Sequence, residues 1–239
     1  MAILLVSKGT PVHGTGTLTP GSPASIVVGN WLVSYFAEYQ GSSAQPSTPA
    51  NWTLISDTTG NHSGVVYARI ADGTANDAMP SINYGSAVDQ MAYCEQWSGL
   101  PATIAGNVTA TSRQANLTSG CQSGAITPPV NGCLIIGFMC RNKTSTSDGA
   151  TWGNWTVGGQ TFTQNNSGVP TTNKLMWLAE SLVQTTATAI STGTSNNSSP
   201  ADSTAQSTAG FTIVIQPPSA SAIPFPPTSL GGMNVQVCM

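Results

Sequence analysis

The sequence predicts an all-β protein, an antiparallel β-sandwich followed by an extended Pro-rich C-terminal arm. Three observations carry that expectation. Asp, Glu, Lys and Arg make up only 6% of the 239 residues, against about 25% in an ordinary globular domain. Apolar residues still reach 39%, so this is not the composition of a disordered chain; what is scarce is Glu, Lys and Arg, the strong helix formers. Alternating segments bounded by turn residues recur from end to end, and no stretch carries a sustained helical period with caps.

Met1 to Lys8 opens on a five-residue apolar run, Ala2 to Val6, too short for a signal peptide or a membrane span. A protein working outside the cell would then arrive there by assembly and lysis. Asn30–Tyr39 is the clearest strand: Trp31, Val33, Tyr35, Ala37 and Tyr39 share one face, Leu32, Ser34, Phe36 and Glu38 the other. With both faces largely apolar, it reads as a central strand covered on both sides. Further strands are expected at Asn51–Ser56, Gly64–Ala71, Ala87–Trp97, Cys133–Cys140, Lys174–Val183 and Gly210–Gln216. Turn chemistry separates them at Asp72-Gly73, Ser98-Gly99, Asn131-Gly132 and Asp148-Gly149, while Asp202 to Gly210 is polar and loop-like.

The chain also echoes itself. An apolar strand from Asn30, a polar loop, Asn51-Trp-Thr and an aromatic-bearing strand from Gly64 are matched by a strand from Gly132, a polar loop, Asn154-Trp-Thr and a strand from Lys174. The two Asn-Trp-Thr copies lie 103 residues apart (154 less 51). Such repetition implies two similar strand sets, each supplying inward side chains to one sandwich spanning residues 1–216. From Pro217 to Pro227 prolines deny the chain helix and central strand. Residues 217–239 therefore form an extended arm; its apolar end, Met233 to Met239, suits it to lie on a neighbouring subunit.

Cys94, Cys121, Cys133, Cys140 and Cys238 fit no zinc spacing, and they are the candidate disulfide or cross-linking residues. Cys133 and Cys140, on one strand, would face opposite ways about 23 Å apart and so cannot bond each other. Cys121 with Cys133, or Cys94 with Cys140, remain open pairings, beside the alternative that all five stay reduced. Five is odd, and Cys238 on the arm is the natural cross-link to another chain.

Chemical constellations are thin, and no catalytic residue, metal site or cofactor is expected. Six basic residues scattered through a chain of net charge −3 argue against nucleic acid, and no segment suits a membrane. Serine-nucleophile, phosphate-loop and His-Glu-x-x-His motifs are absent; His13 and His62 stand alone among turn residues. The best carboxylate pair for glycoside hydrolysis is Glu95 with Glu180, which would need to face one cleft about 5–10 Å apart. Trp52, Trp97, Trp152 and Trp155 are candidate stacking platforms should the protein bind glycans without cleaving them.

Residues 29–36, 48–55 and 65–73, followed by a strand like Met91–Trp97, resemble a module of tailed-bacteriophage virion proteins with a "Gly-Asp-Leu-Leu" strand, a "Pro-Ala-Gly-Trp-Thr-Leu" strand and a "Tyr-Tyr-Arg-x-Ala-Asp-Gly" strand. Asn30 replaces the usual Asp and Asn51 the usual Gly. The resemblance covers about residues 24–100 and implies a jelly-roll-like sandwich serving as a capsid decoration, collar or tail component. It brings over no catalytic residue. The expected role is a non-enzymatic cement protein on the outer surface of a virion, assembled in the host cytoplasm. Its partners would be viral capsid or tail proteins and further copies of itself, a trimer if one state is named. The alternative role is a tail- or fibre-associated glycan receptor module.

Overall fold

The computed structural model describes residues 2–39, 45–58, 64–85, 88–117, 120–142, 152–157, 160–168, 175–190, 194–195 and 206–219. The first half of the chain forms β1 (Leu4–Lys8), β2 (Val12–Gly14), β3 (Trp31–Glu38), β4 (Thr53–Thr58), β5 (Gly64–Ile70) and β6 (Gln90–Ser98). The second half forms β7 (Val108–Leu117), β8 (Cys121–Gln122), β9 (Leu134–Asn142), β10 (Thr156–Val157), β11 (Gln160–Thr161), β12 (Thr163–Gly168), β13 (Leu175–Val183), β14 (Thr194–Ser195) and β15 (Gln206–Ile215). Helix among the described residues is one 3-10 turn at Ala75–Asp77. The protein is an all-β antiparallel sandwich.

Each half of the chain completes one sheet. The first runs β1-β6-β3-β5-β4, with β2 continuing β1 along the edge of β6; the second runs β12-β13-β9-β15-β7. Strand for strand the wiring is the same, with β1, β3, β4, β5 and β6 placed as β7, β9, β12, β13 and β15. Small features repeat too. Gly29 donates to the Ala71 carbonyl and Ala71 to that of Asn30, as Gly132 donates to Gln184 and Gln184 to Cys133. Both glycines hold positive φ, 85° and 80°, which lets the chain turn into the central strand without a Cβ clash. Single bridges Leu18–Ile82 and Ile126–Ile190 recur at matching places, and β4 and β12 bulge at the same point, between Leu54 and Ser56 and between Gln164 and Asn166. The echo in the sequence is thus an internal repeat with pseudo-two-fold symmetry. In a jelly roll the chain passes back and forth between sheets; among the described strands it does not.

The sheets pack face to face with β1 over β12 and β4 over β7, as hydrogen bonds from Lys8 to Asn165 and from Ser112 to Asp57 require. Between them lies one core, in which Tyr35, Phe138 and Phe211 stack in series at ring separations of 5.0 and 5.8 Å. Each outer face carries a second cluster under its loops: Leu32, Phe36, Trp52 and Tyr67 on the first sheet, Ile135, Met139, Trp155 and Phe162 on the second. This explains why β3 is apolar on both faces: Trp31, Val33 and Tyr35 enter the central core, and Leu32 and Phe36 the outer one.

Of the strands of five residues or more, three escape sequence reading. β7 (VTATSRQANL) and β12 (TQNNSG) are edge strands, with polar residues unbroken from Thr111 to Gln114 in the first and no large apolar residue in the second, so they lack the sustained alternation that marks a half-buried strand. β1 was visible only as an apolar run. β15 also starts at Gln206, inside the segment that reads as loop, because Gln206–Ala209 pairs with β7 on one side and Thr208 and Ala209 with β9 on the other. The Asp148-Gly149 turn, His62 and most of the Pro-rich arm, residues 220–239, lie outside the described residues.

Candidate functional site

Residues singled out in the sequence prove to be interior. All six tryptophans are buried, and Trp152, the most accessible, is 9% exposed. Trp97 belongs to the central core, Trp52 to the outer cluster of the first sheet, and Trp152 and Trp155 to that of the second. None of the four presents an open ring face on which a sugar could stack. Of the four, Trp97 alone lies within a strand, β6; Trp52 and Trp155 each directly precede one, β4 and β10.

Of the alternatives left open for the cysteines, the four described ones take the reduced form. Cys94, Cys121, Cys133 and Cys140 are buried thiols that form no disulfide; Cys238 lies outside the described residues. Cys94 faces the outer cluster of the first sheet, whereas Cys140 points into the central core, so a sheet separates them. Cys121 sits by the far end of β9, its Sγ 3.4 Å from the Cys140 carbonyl oxygen and 3.3 Å from that of Ala209, while Cys133 precedes the start of β9 and donates to Val130. Burial pushes all four thiols up, Cys121 to about 12, and a thiolate is what a thiol reagent attacks. In the folded protein these four should stay silent toward such a reagent at pH 8 and react together on denaturation. A Cys238→Ser variant showing rapid native reaction at any thiol would overturn that assignment.

Glu95 and Glu180 do not face one cleft. Glu180 lies on the outer face of the second sheet, where its Oε2 accepts the Trp155 backbone N–H at 2.9 Å; burial lifts its carboxyl to about 7. Glu95 lies in the central core between the sheets. No cluster of three His, Cys, Asp or Glu side chains among the described residues could hold a metal ion, and no described helix is long and apolar enough to cross a membrane. Two of the cations are occupied inside the fold, Arg69 by Asp72 and Asp77 at 3.1 and 3.0 Å and Arg141 by the Gly120 carbonyl.

The polar surroundings of Glu95 are the most concentrated chemistry among the described residues. Its Oε2 accepts from Tyr35 Oη at 2.8 Å and Trp97 Nε1 at 3.0 Å. Desolvation raises its pKa; hydrogen bonding by Tyr35 and Trp97, and the nearby Asn165 amide and Tyr93 hydroxyl, oppose the shift. Yet Glu95 Oε1, Asn165 Nδ2 and Tyr93 Oη are each buried with no hydrogen bond of their own. Lys8, the register partner of Glu95 on β1, reaches across to the second sheet and donates to the Asn165 backbone oxygen at 2.6 Å. Asn165 and Lys8 carried no signal in the sequence, since both sit on edge strands whose facing is set by bulges.

Outside the core, the edge of β1 stands out. Leu4 and Val6 are 60% and 44% exposed, and among the described residues no strand pairs with the far side of β1. No family model matches the chain, and neither does a curated protein or a solved structure.

Proposed function

We propose that this chain is a virion structural protein, a capsid decoration (cement) protein that bridges neighbouring subunits on the particle's outer surface. The observation that carries the reading is the edge of β1. Natural sheets blunt their edges with charge, proline or a covering loop, but here Leu4 and Val6 flank an unpaired backbone edge. The one charge on the strand, Lys8, is turned toward the second sheet. Such an edge is suited to accept a strand from a neighbour, with backbone hydrogen bonds for strength and apolar side chains for fit. A chain with 6% charged residues makes contacts that lose little to changing salt, unlike surface ion pairs. The resemblance of residues 24–100 to tailed-phage virion modules points the same way, toward capsid or tail partners and self-assembly.

The test is particle stability. Particles carrying the protein should survive heat that opens particles lacking it, and a Leu4→Lys, Val6→Glu double variant should fold normally yet fail to attach. Equal heat resistance with and without the protein would refute the cement role.

A further inference from the structure

We propose that Lys8 and Asn165 become joined by an intramolecular isopeptide bond, formed by the protein itself with Glu95 as proton carrier. Three independent features point there. The Lys8 amine is already docked on Asn165, at 2.6 Å from its backbone oxygen, while the Asn165 side chain, in a residue only 5% exposed, turns inward. Its Oδ1 accepts from Ser181 Oγ at 3.0 Å, and its Nδ2 is left without a partner beside an equally unpartnered Glu95 Oε1. Unmade hydrogen bonds between buried groups are costly, and expelling Nδ2 would remove one of them.

The internal repeat supplies the second feature. Glu95 pairs with Lys8 as Ile213 pairs with Ala110. Asn165 sits at the bulge of β12 as Ile55 sits at the bulge of β4. At the opposite edge of the sandwich the fold therefore builds the same corner from Ala110, Ile213 and Ile55. Nothing in the architecture requires amine, carboxyl and amide at this place. The third feature is topological: β1 and β12 are both edge strands, in different sheets, and Lys8 and Asn165 are 157 residues apart, so one bond would clamp an otherwise open edge.

The chemistry closes without a co-reactant. The deprotonated Lys8 Nζ attacks Asn165 Cγ; the oxygen of the tetrahedral intermediate keeps the Ser181 hydroxyl hydrogen bond. Glu95 takes the proton that leaves the Lys8 ammonium before attack and gives it to Nδ2, then takes a second from Nζ and passes it to the departing ammonia, which leaves as ammonium. The Cγ–Nδ2 bond breaks as the Cγ–Nζ amide is completed. One ammonium side chain and one primary amide become one secondary amide and one ammonium ion, with no change of oxidation state. Tyr35 and Trp97 act as positioning residues, fixing the carboxyl through Oε2.

Intact-mass measurement on the purified, denatured full chain decides the matter. The wild-type protein should be lighter than its sequence by one ammonia, and a chymotryptic digest should contain a linked pair of peptides carrying Lys8 and Asn165. Lys8→Arg keeps a donor for the Asn165 carbonyl but cannot form the bond, so it should return the full sequence mass. Glu95→Gln should do the same if folded. An unmodified wild-type mass, or an ammonia loss that maps to another asparagine or persists in Lys8→Arg, would overturn the proposal.

Discussion

Replacing Trp155 with alanine is expected to destabilise the protein by about 3–5 kcal/mol, the range for truncating a buried aromatic. The ring is fully buried, stacks on Phe162 at 4.2 Å and rests on Gly137, where an added Cβ would come within 2.8 Å of its carbons. The floor of the resulting cavity is the backbone of β9, paired on both sides, so the site has little room to collapse. Trp155 Nε1 makes no hydrogen bond, and the loss is therefore one of packing alone. For a domain of this size that corresponds to a fall in midpoint of roughly 6–20 °C. Gly137 sharpens the test. Gly137→Ala should cost about 1–3 kcal/mol in the wild type by overpacking against the indole, but little or nothing once Trp155 is gone, since its methyl then fills part of the void. Additive effects in the double variant would show that the ring does not sit on Gly137.

The same residues show what the sequence made legible. The central strands could be placed because covering both faces makes them apolar along most of their length, as in Trp31–Glu38 and Leu134–Asn142. The repeated Asn-Trp-Thr marked a true repeat because Trp52 and Trp155 play one role in each half, each covering the outer face of a sheet. Edge strands were another matter. β7 and β12 bury one face or less, and the bulges beside Ser7 and Asn165 shift which face a residue takes. Period alone could not have put Lys8 beside Glu95 or turned Asn165 inward. Glu95 itself stood out between Tyr93 and Trp97, but alternation alone did not fix which layer that face entered. Its position in the central core follows from the pairing of β6 with β3, Val33 opposite Glu95.

Stability should rise, not fall, as the solution is taken from pH 8 to pH 5. Glu180 titrates at about 7 in the folded protein because burial disfavours its charge, against 4.5 for the ordinary group. Between those values the folded chain holds a proton that the unfolded chain has released, so raising the pH favours unfolding. The penalty grows from about pH 4.5 to 7 and is constant above, reaching at most about 3 kcal/mol at 1.36 kcal/mol per unit. Glu95, raised by its own burial, adds in the same direction. Asp72 opposes them: hydrogen bonds from Thr74 hold its carboxyl at about 2, and its stabilising contribution fades only as the pH falls below the ordinary range. A stability maximum near pH 4–5 is the expected balance. Glu180→Gln retains an oxygen to accept the Trp155 N–H and removes the titration, so urea unfolding of this variant should show a flatter profile and greater stability than wild type at pH 8. A wild-type profile that is level from pH 5 to 8, or a variant that keeps the full wild-type slope, would mean that Glu180 ionises in the fold as freely as it does in water.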